Sequence, residues 1–189
     1  MVKSPIKLGV SGAAGSFSEE AGWLYAKRVG IKPKMVYLID MEGVLDAVEK
    51  KKIDIGIFPV VNSRGGLVQT AFAAMGRHKF QVIDEVWLDV RQCLLALPNI
   101  GKSQITKIVS HPQAISQCER YLQKEYPKIP LIDWEDTAKA ADDLKKGKLG
   151  KTAAVIAPEI SAKIYGLKIM QKNIQDNHPN LTTFIVVKN

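Results

Sequence analysis

The 189-residue sequence predicts an α/β protein of two lobes, each a mainly parallel sheet with flanking helices, joined by a two-stranded hinge. Two observations carry that prediction. Short β-branched runs alternate with amphipathic helical stretches, the pattern of strand–helix–strand units. The alternation also occurs twice, in residues 7–75 and again in 107–165, with strand-like runs between the halves and after the second. At about 100–200 residues per domain, the length suits one domain or two small lobes with a real core. The expected division is 1–78 plus 176–189 for one lobe and 79–175 for the other. Ligands of such folds bind where strand carboxyl ends and helix N-termini converge, so the default site is a cleft between the lobes.

In the first half, Lys7–Ser11 reads as a buried strand and Ser18–Val29 as a helix, with Ser16 and Glu19 in capping-box spacing. Val36–Ile39 is a second strand, and Asp40 caps a helix through Lys50. Ile53–Phe58 is a third strand, stopped by Pro59, and the turn Asn62–Gly66 leads into a helix at Leu67–Met75. Gln81–Leu88 and Val90–Leu97 are strand-like. The second half begins with a strand at Lys107–Ser110, and Pro112 opens a helix through Glu125. Then come a strand at Leu131–Asp133, a helix from Asp136 to Lys146, a strand at Thr152–Ala157 and a helix from Pro158 towards Tyr165. Lys168–Ile174 and Leu181–Val187 complete the strands.

Composition excludes several classes. At 46% apolar and 24% charged residues the chain is neither collagenous, disordered nor disulfide-built. No apolar run approaches the ~18 residues of a membrane span, and the N-terminus lacks a signal peptide's apolar stretch. Cys93 and Cys118 lie apart without Cys-x-x-Cys spacing, which fits buried, reduced thiols in a cytoplasmic protein. The net charge of +8 suggests a nucleic-acid partner, but it comes from 22 Lys and only 5 Arg spread along the chain. Lysines near helix ends complement the dipole and solvate the surface, so neither nucleic acid nor membrane is expected as a partner.

Five loops offer chemistry. Gly12–Ser18 presents backbone N–H groups, the hydroxyls of Ser16 and Ser18 and a helix start, which suits a carboxylate or phosphate and equally a tight turn. Pro59–Gly66 places Asn62, Ser63, Arg64 and Gly65 after a buried strand, where Arg64 could clamp a carboxylate; Asn and Gly are also plain turn formers. His111, before Pro112 and Gln113, could be an acid, a base or a cap. Asp136-Thr137 opens a helix, and capping alone explains it. Asn180–Phe184 opens the last apolar strand. No His stands at metal-ligand spacing from a partner, and no metal is expected.

Seven stretches, taken in order, resemble the prephenate dehydratase family: GAAGSFSEEA (Gly12–Ala21), PVVNSRGG (Pro59–Gly66), CLLALP (Cys93–Pro98), VSHPQAISQC (Val109–Cys118), DTAKAA (Asp136–Ala141), IYGLKIM (Ile164–Met170) and NLTTF (Asn180–Phe184). The resemblance runs from Leu8 to Val187. It implies two α/β lobes similar to type II periplasmic binding proteins, with prephenate, a small dicarboxylate, in the cleft. It implies loss of water and carbon dioxide to give phenylpyruvate, the precursor of phenylalanine, without a cofactor, in a homodimer. It covers the catalytic domain only; the chain ends five residues after Phe184, and the phenylalanine-binding C-terminal domain of many members is expected to be absent. Carried onto this sequence, the resemblance makes Thr182 catalytic. It makes Ser16, Phe17, Ser18, Asn62, Ser63, Arg64, Gly65, His111, Gln113, Thr137, Thr183 and Phe184 substrate-binding.

Departures accompany it. Thr183 stands where the family motif resembles Thr-Arg-Phe, and Val61 where it resembles Pro-x-Glu-Asn-Ser; Gln92 replaces a His of many relatives. A charge-assisted bond lost in a closed site costs about 1.5–3 kcal/mol. Three readings follow: a divergent dehydratase in which Arg64 or another cation replaces the motif Arg while Thr182 remains near the leaving hydroxyl, a decarboxylase or related lyase that keeps the hydroxyl, and a non-catalytic, small-anion-binding or regulatory homologue.

Overall fold

The computed structural model describes residues 5–189. The chain runs through β1 (Lys7–Ser11), α1 (Phe17–Val29), β2 (Lys34–Leu38), α2 (Met41–Glu49), β3 (Ile55–Asn62), β4 (Gly66–Leu67), α3 (Gln69–Met75) and β5 (Gln81–Asp89). It continues through β6 (Gln92–Ala96), a 3-10 turn (Lys102–Gln104), β7 (Lys107–Ser110), α4 (Pro112–Ser116), α5 (Glu119–Glu125) and β8 (Leu131–Asp133). α6 (Thr137–Lys145), β9 (Ala153–Pro158), α7 (Glu159–Tyr165), β10 (Lys168–Gln171) and β11 (Leu181–Lys188) complete it.

Two compact units result. Unit 1 holds the described residues through Ala13, Phe17–Asp89 and Leu181–Asn189; unit 2 holds Ala14–Ser16 and Val90–Asn180. The strand Gln81–Asp89, expected in the second lobe, pairs along its length with β11 in the sheet of unit 1, so the first divide falls after Asp89. The segment 176–180, expected with the first lobe, belongs to unit 2, where Asp176 and Asn180 bond to Gln117.

Both sheets are mixed rather than mainly parallel. Unit 1 has the order β2-β1-β3-β11-β5, with β4 beside β3. β1 is parallel to β2 and β3, whereas β11 is antiparallel to β3 and β5. Unit 2 has β10-β6-β9-β7-β8, with β7 parallel to β8 and β9 and β6 antiparallel to β9 and β10. The strand–helix alternation builds the parallel pairs, because helical crossovers return a strand in its original direction. The intervening and final strands supply the antiparallel ones.

Local chemistry sets the helix starts. Asp40 accepts from Gly43 N–H at 2.8 Å and Asp136 from Lys139 N–H at 2.7 Å, each meeting one of the unpaired donors of a first turn. Helix packing is close: a Cβ on Gly56 of β3 would stand 2.6 Å from Val44 Cγ1 of α2. Leu8, Val10, Ile57 and Phe184 pack with α1 on one face of the unit 1 sheet, and Phe58, Val60 and Val187 pack with α2 and α3 on the other. In unit 2, the buried Asp143 of α6 receives Lys139 Nζ at 2.6 Å, Lys148 Nζ at 2.8 Å and Trp134 Nε1 at 3.2 Å.

Two expectations about element ends change. Pro59 does not stop the third strand. β11 pairs Thr183 with Val61 and then Phe184 with Pro59, leaving Val60 as an extra residue in a bulge. A bulge is where a strand tolerates a residue without an N–H. The helix after Pro112 also divides into α4 and α5 around Gln117 and Cys118, and Cys118 turns into the core of unit 2.

Candidate functional site

Register brings the end of β3 and the start of β11 together, and with them the Pro59–Gly66 and Asn180–Phe184 loops. Asn62 is the hub. Its Nδ2 donates to Thr182 Oγ1 at 2.8 Å and to Leu181 C=O at 3.2 Å, while its Oδ1 accepts from the N–H groups of Arg64 (2.9 Å) and Gly65 (2.8 Å). A carbonyl on one side and two amides on the other fix which end of the carboxamide is nitrogen. Ser63 completes the joint: its N–H donates to Leu181 C=O at 2.7 Å, and its Oγ accepts from Leu181 N–H at 3.0 Å. Asn62 and Thr182 are buried, at 3% and 7% exposure.

This geometry decides what Thr182 can do. Its oxygen already accepts from Asn62, and its own proton is taken by no group among the described residues. The hydroxyl is therefore oriented as a donor. Arg64 is exposed, and its guanidinium has no hydrogen-bond or ion-pair partner among the described residues, Thr182 included.

Strand alternation turns Thr183 to the opposite face of the sheet from Thr182. Thr183 lies directly opposite Val61, which packs against the α2–α3 core. Phe184 is 1% exposed and packs with Leu8, Val10 and Val86; Phe17 packs against the same cluster. Both aromatics thus have structural work in the core. Also in unit 1, Ser18 Oγ lies 3.0 Å from Ser11 Oγ in a buried pair between α1 and the end of β1.

In unit 2, α7 holds the Gly-rich loop by its carbonyls: Ser161 Oγ donates to Gly15 C=O at 2.9 Å and Tyr165 OH to Ala14 C=O at 2.6 Å. Gly15, at φ +82°, has no room for a side chain, since a Cβ would stand 2.9 Å from Ser161 Oγ. Ser16 is buried there. His111 caps α4, its Nδ1 accepting from Gln113 N–H at 3.2 Å, which leaves the proton of a neutral ring on Nε2. The Asp136 carboxyl beside Thr137 is pushed up by burial, against the N–H groups of Lys139 and Ala138 and the nearby His111.

A polar cluster in unit 2 gathers Gln92, noted above as a departure, with residues not among the predicted site residues. Gln117 Oε1 accepts from Gln92 Nε2 at 3.3 Å and Asn180 Nδ2 at 3.0 Å. Gln92 N–H donates to Gln175 Oε1 at 3.0 Å, and Gln92 Oε1 is buried without a partner among the described residues. Gln117 is the penultimate residue of the stretch VSHPQAISQC, and Asn180 opens NLTTF, so the signal was present in residues already grouped. What the sequence lacks is any sign that the ends of these two stretches meet.

Among the described residues no helix is long and apolar enough to cross a membrane. Comparison with known proteins is direct. The family model described as prephenate dehydratase matches residues 8–189. The chloroplastic "Arogenate dehydratase/prephenate dehydratase 6" of Arabidopsis thaliana is 35% identical over 184 residues, 97% of this chain and 43% of that protein. The chain spans less than half the length of the curated relatives it matches. Among solved structures, the prephenate dehydratase of Arthrobacter aurescens in complex with L-Phe superposes with a TM-score of 0.88 at 23% identity, covering 97% of this chain and 60% of that one. A periplasmic substrate-binding protein of an ABC transporter from Coxiella burnetii shares the fold more distantly, with a TM-score of 0.51 at 15% identity over 97% of this chain and 84% of that one.

Proposed function

Because the chain belongs to the prephenate dehydratase family, we propose that it is a carbon–oxygen lyase acting on prephenate or its amino counterpart arogenate. One observation carries the proposal. The Asn62–Thr182 hydrogen bond engages the threonine oxygen as an acceptor and leaves its proton for a ligand. In the proposed reaction the ring carboxylate leaves as carbon dioxide, and its bonding electrons enter the ring. The carbon–oxygen bond opposite breaks, and the departing hydroxyl takes a proton to become water. The Thr182 hydroxyl donates to that oxygen as negative charge gathers on it, where a fixed donor is worth most. Arg64, two residues from Asn62 and exposed, supplies a cation for a substrate carboxylate without requiring the motif Arg. No step calls for a redox or electron-sink cofactor, because rearomatisation drives the loss of both leaving groups.

The test is direct. Purified protein with prephenate yields phenylpyruvate, read as its enolate absorbance in alkali; with arogenate it yields phenylalanine. Consumption of prephenate with neither product would favour the decarboxylase reading. Prephenate and arogenate both left intact would favour a binding protein.

A further inference from the structure

Away from that site, His78 stands between two carboxylates of one helix. Its Nε2 lies 2.8 Å from Glu42 Oε1 and its Nδ1 2.8 Å from Glu49 Oε2. Glu42 and Glu49 are two turns apart on α2, so the same face presents both. Carboxylates only accept, and a neutral imidazole has one N–H and one lone pair; both contacts need the doubly protonated ring. The His78 side chain is 11% exposed, so water does little to replace either partner. The other charges around it are accounted for. Arg77 donates to Glu42 through Nε at 3.2 Å and Nη2 at 2.5 Å, and Asp46, between the two glutamates, is engaged by Lys50 and Lys52.

We propose that His78 is a proton-operated latch, which fastens the segment after α3 to α2 while doubly protonated and releases it on losing one proton. The latch bears on the candidate site through the chain, because α3 follows β4 and the Asn62–Gly66 turn. The proposal does not depend on the activity of that site.

The sign follows from the carboxylates. Hydrogen bonds to Glu42 and then Glu49 raise the imidazole above its ordinary value of 6.5, against a smaller burial effect. The stabilisation is therefore complete below about pH 6.5, the unfolded value, and is lost as pH rises through the higher folded one. Two measurements test this on the whole chain. The His78 ring proton, followed by NMR, should titrate above the ordinary histidine value. The thermal midpoint of the wild type should fall by about 2 °C or more across that titration relative to His78→Gln. Glu49→Gln, which leaves the Arg77–Glu42 pair intact, should lower the His78 titration and shrink the wild-type loss; it also serves if His78→Gln folds poorly. Titration at or below the ordinary value would overturn the latch. So would parallel pH–stability curves for wild type and His78→Gln, or a His78 titration unmoved in Glu49→Gln.

Discussion

At the scale of single residues, the Asn62 carboxamide does the most, satisfying two backbone amides, one carbonyl and the Thr182 oxygen. Thr182→Val keeps the shape of the side chain and deletes the donor. It should lower kcat by about 10²- to 10³-fold, the cost of losing one oriented donor in an oxyanion-type site. It also removes the Thr182 acceptor of the buried Asn62 carboxamide, so stability should drop by about 1–3 kcal/mol in chemical denaturation. A variant that keeps wild-type kcat would remove Thr182 from the chemistry. The sequence offered both residues as candidates from their loops. It could not show that they touch, because 120 positions separate them and only the β3–β11 register joins them. Phe184 is a different case: two positions from Thr182 it reads as a substrate contact, and the fold packs it into the core with Leu8 and Val10.

At the scale of elements, the positions where this chain departs from the family pattern are not independent. Val61 and Thr183 face each other across β3 and β11, one residue pair from the Asn62–Thr182 bond. Cross-strand neighbours stabilise sheets as pairs, and here a β-branched, uncharged pair occupies the place. Thr183→Arg alone should thus cost about 2 kcal/mol, since a partly buried guanidinium would face an aliphatic wall. Val61→Glu together with Thr183→Arg should recover most of it. Equal stability of the Thr183→Arg single variant and wild type in urea titrations would refute that coupling. Periodicity and capping residues located the strands and helices of both units, because local patterns determine local structure. They missed the continuation of β3 past Pro59, since a bulge is created by the partner strand. They also missed the mixed sheets, since strand direction is set by which distant segment fills each gap.

At the scale of the whole molecule, the two units carry opposite acid–base liabilities. In unit 2, burial alone would raise the Asp143 carboxyl, but Lys139, Lys148 and Trp134 outweigh it and hold the group at about 2. A lowered carboxylate contributes stability that is present above its unfolded value near 3.9 and lost as pH falls through about 2. Asp143→Asn should flatten the acid limb of a stability–pH profile between about pH 4 and 2 without altering the alkaline limb. An unchanged acid limb would show that other carboxylates govern it. One feature of the topology reaches further, into the birth of the protein. β11 lies inside the unit 1 sheet, between β3 and β5, yet follows all of unit 2 in the chain. Every residue of unit 2 leaves the ribosome while unit 1 still lacks an interior strand and the hydrogen bonds that strand will make. Unit 2 can close on local segments as they emerge, whereas unit 1 must wait with two strand edges open. The nascent chain therefore finishes its inserted half first. The Asn62–Thr182 contact, made across that gap, is among the last to form.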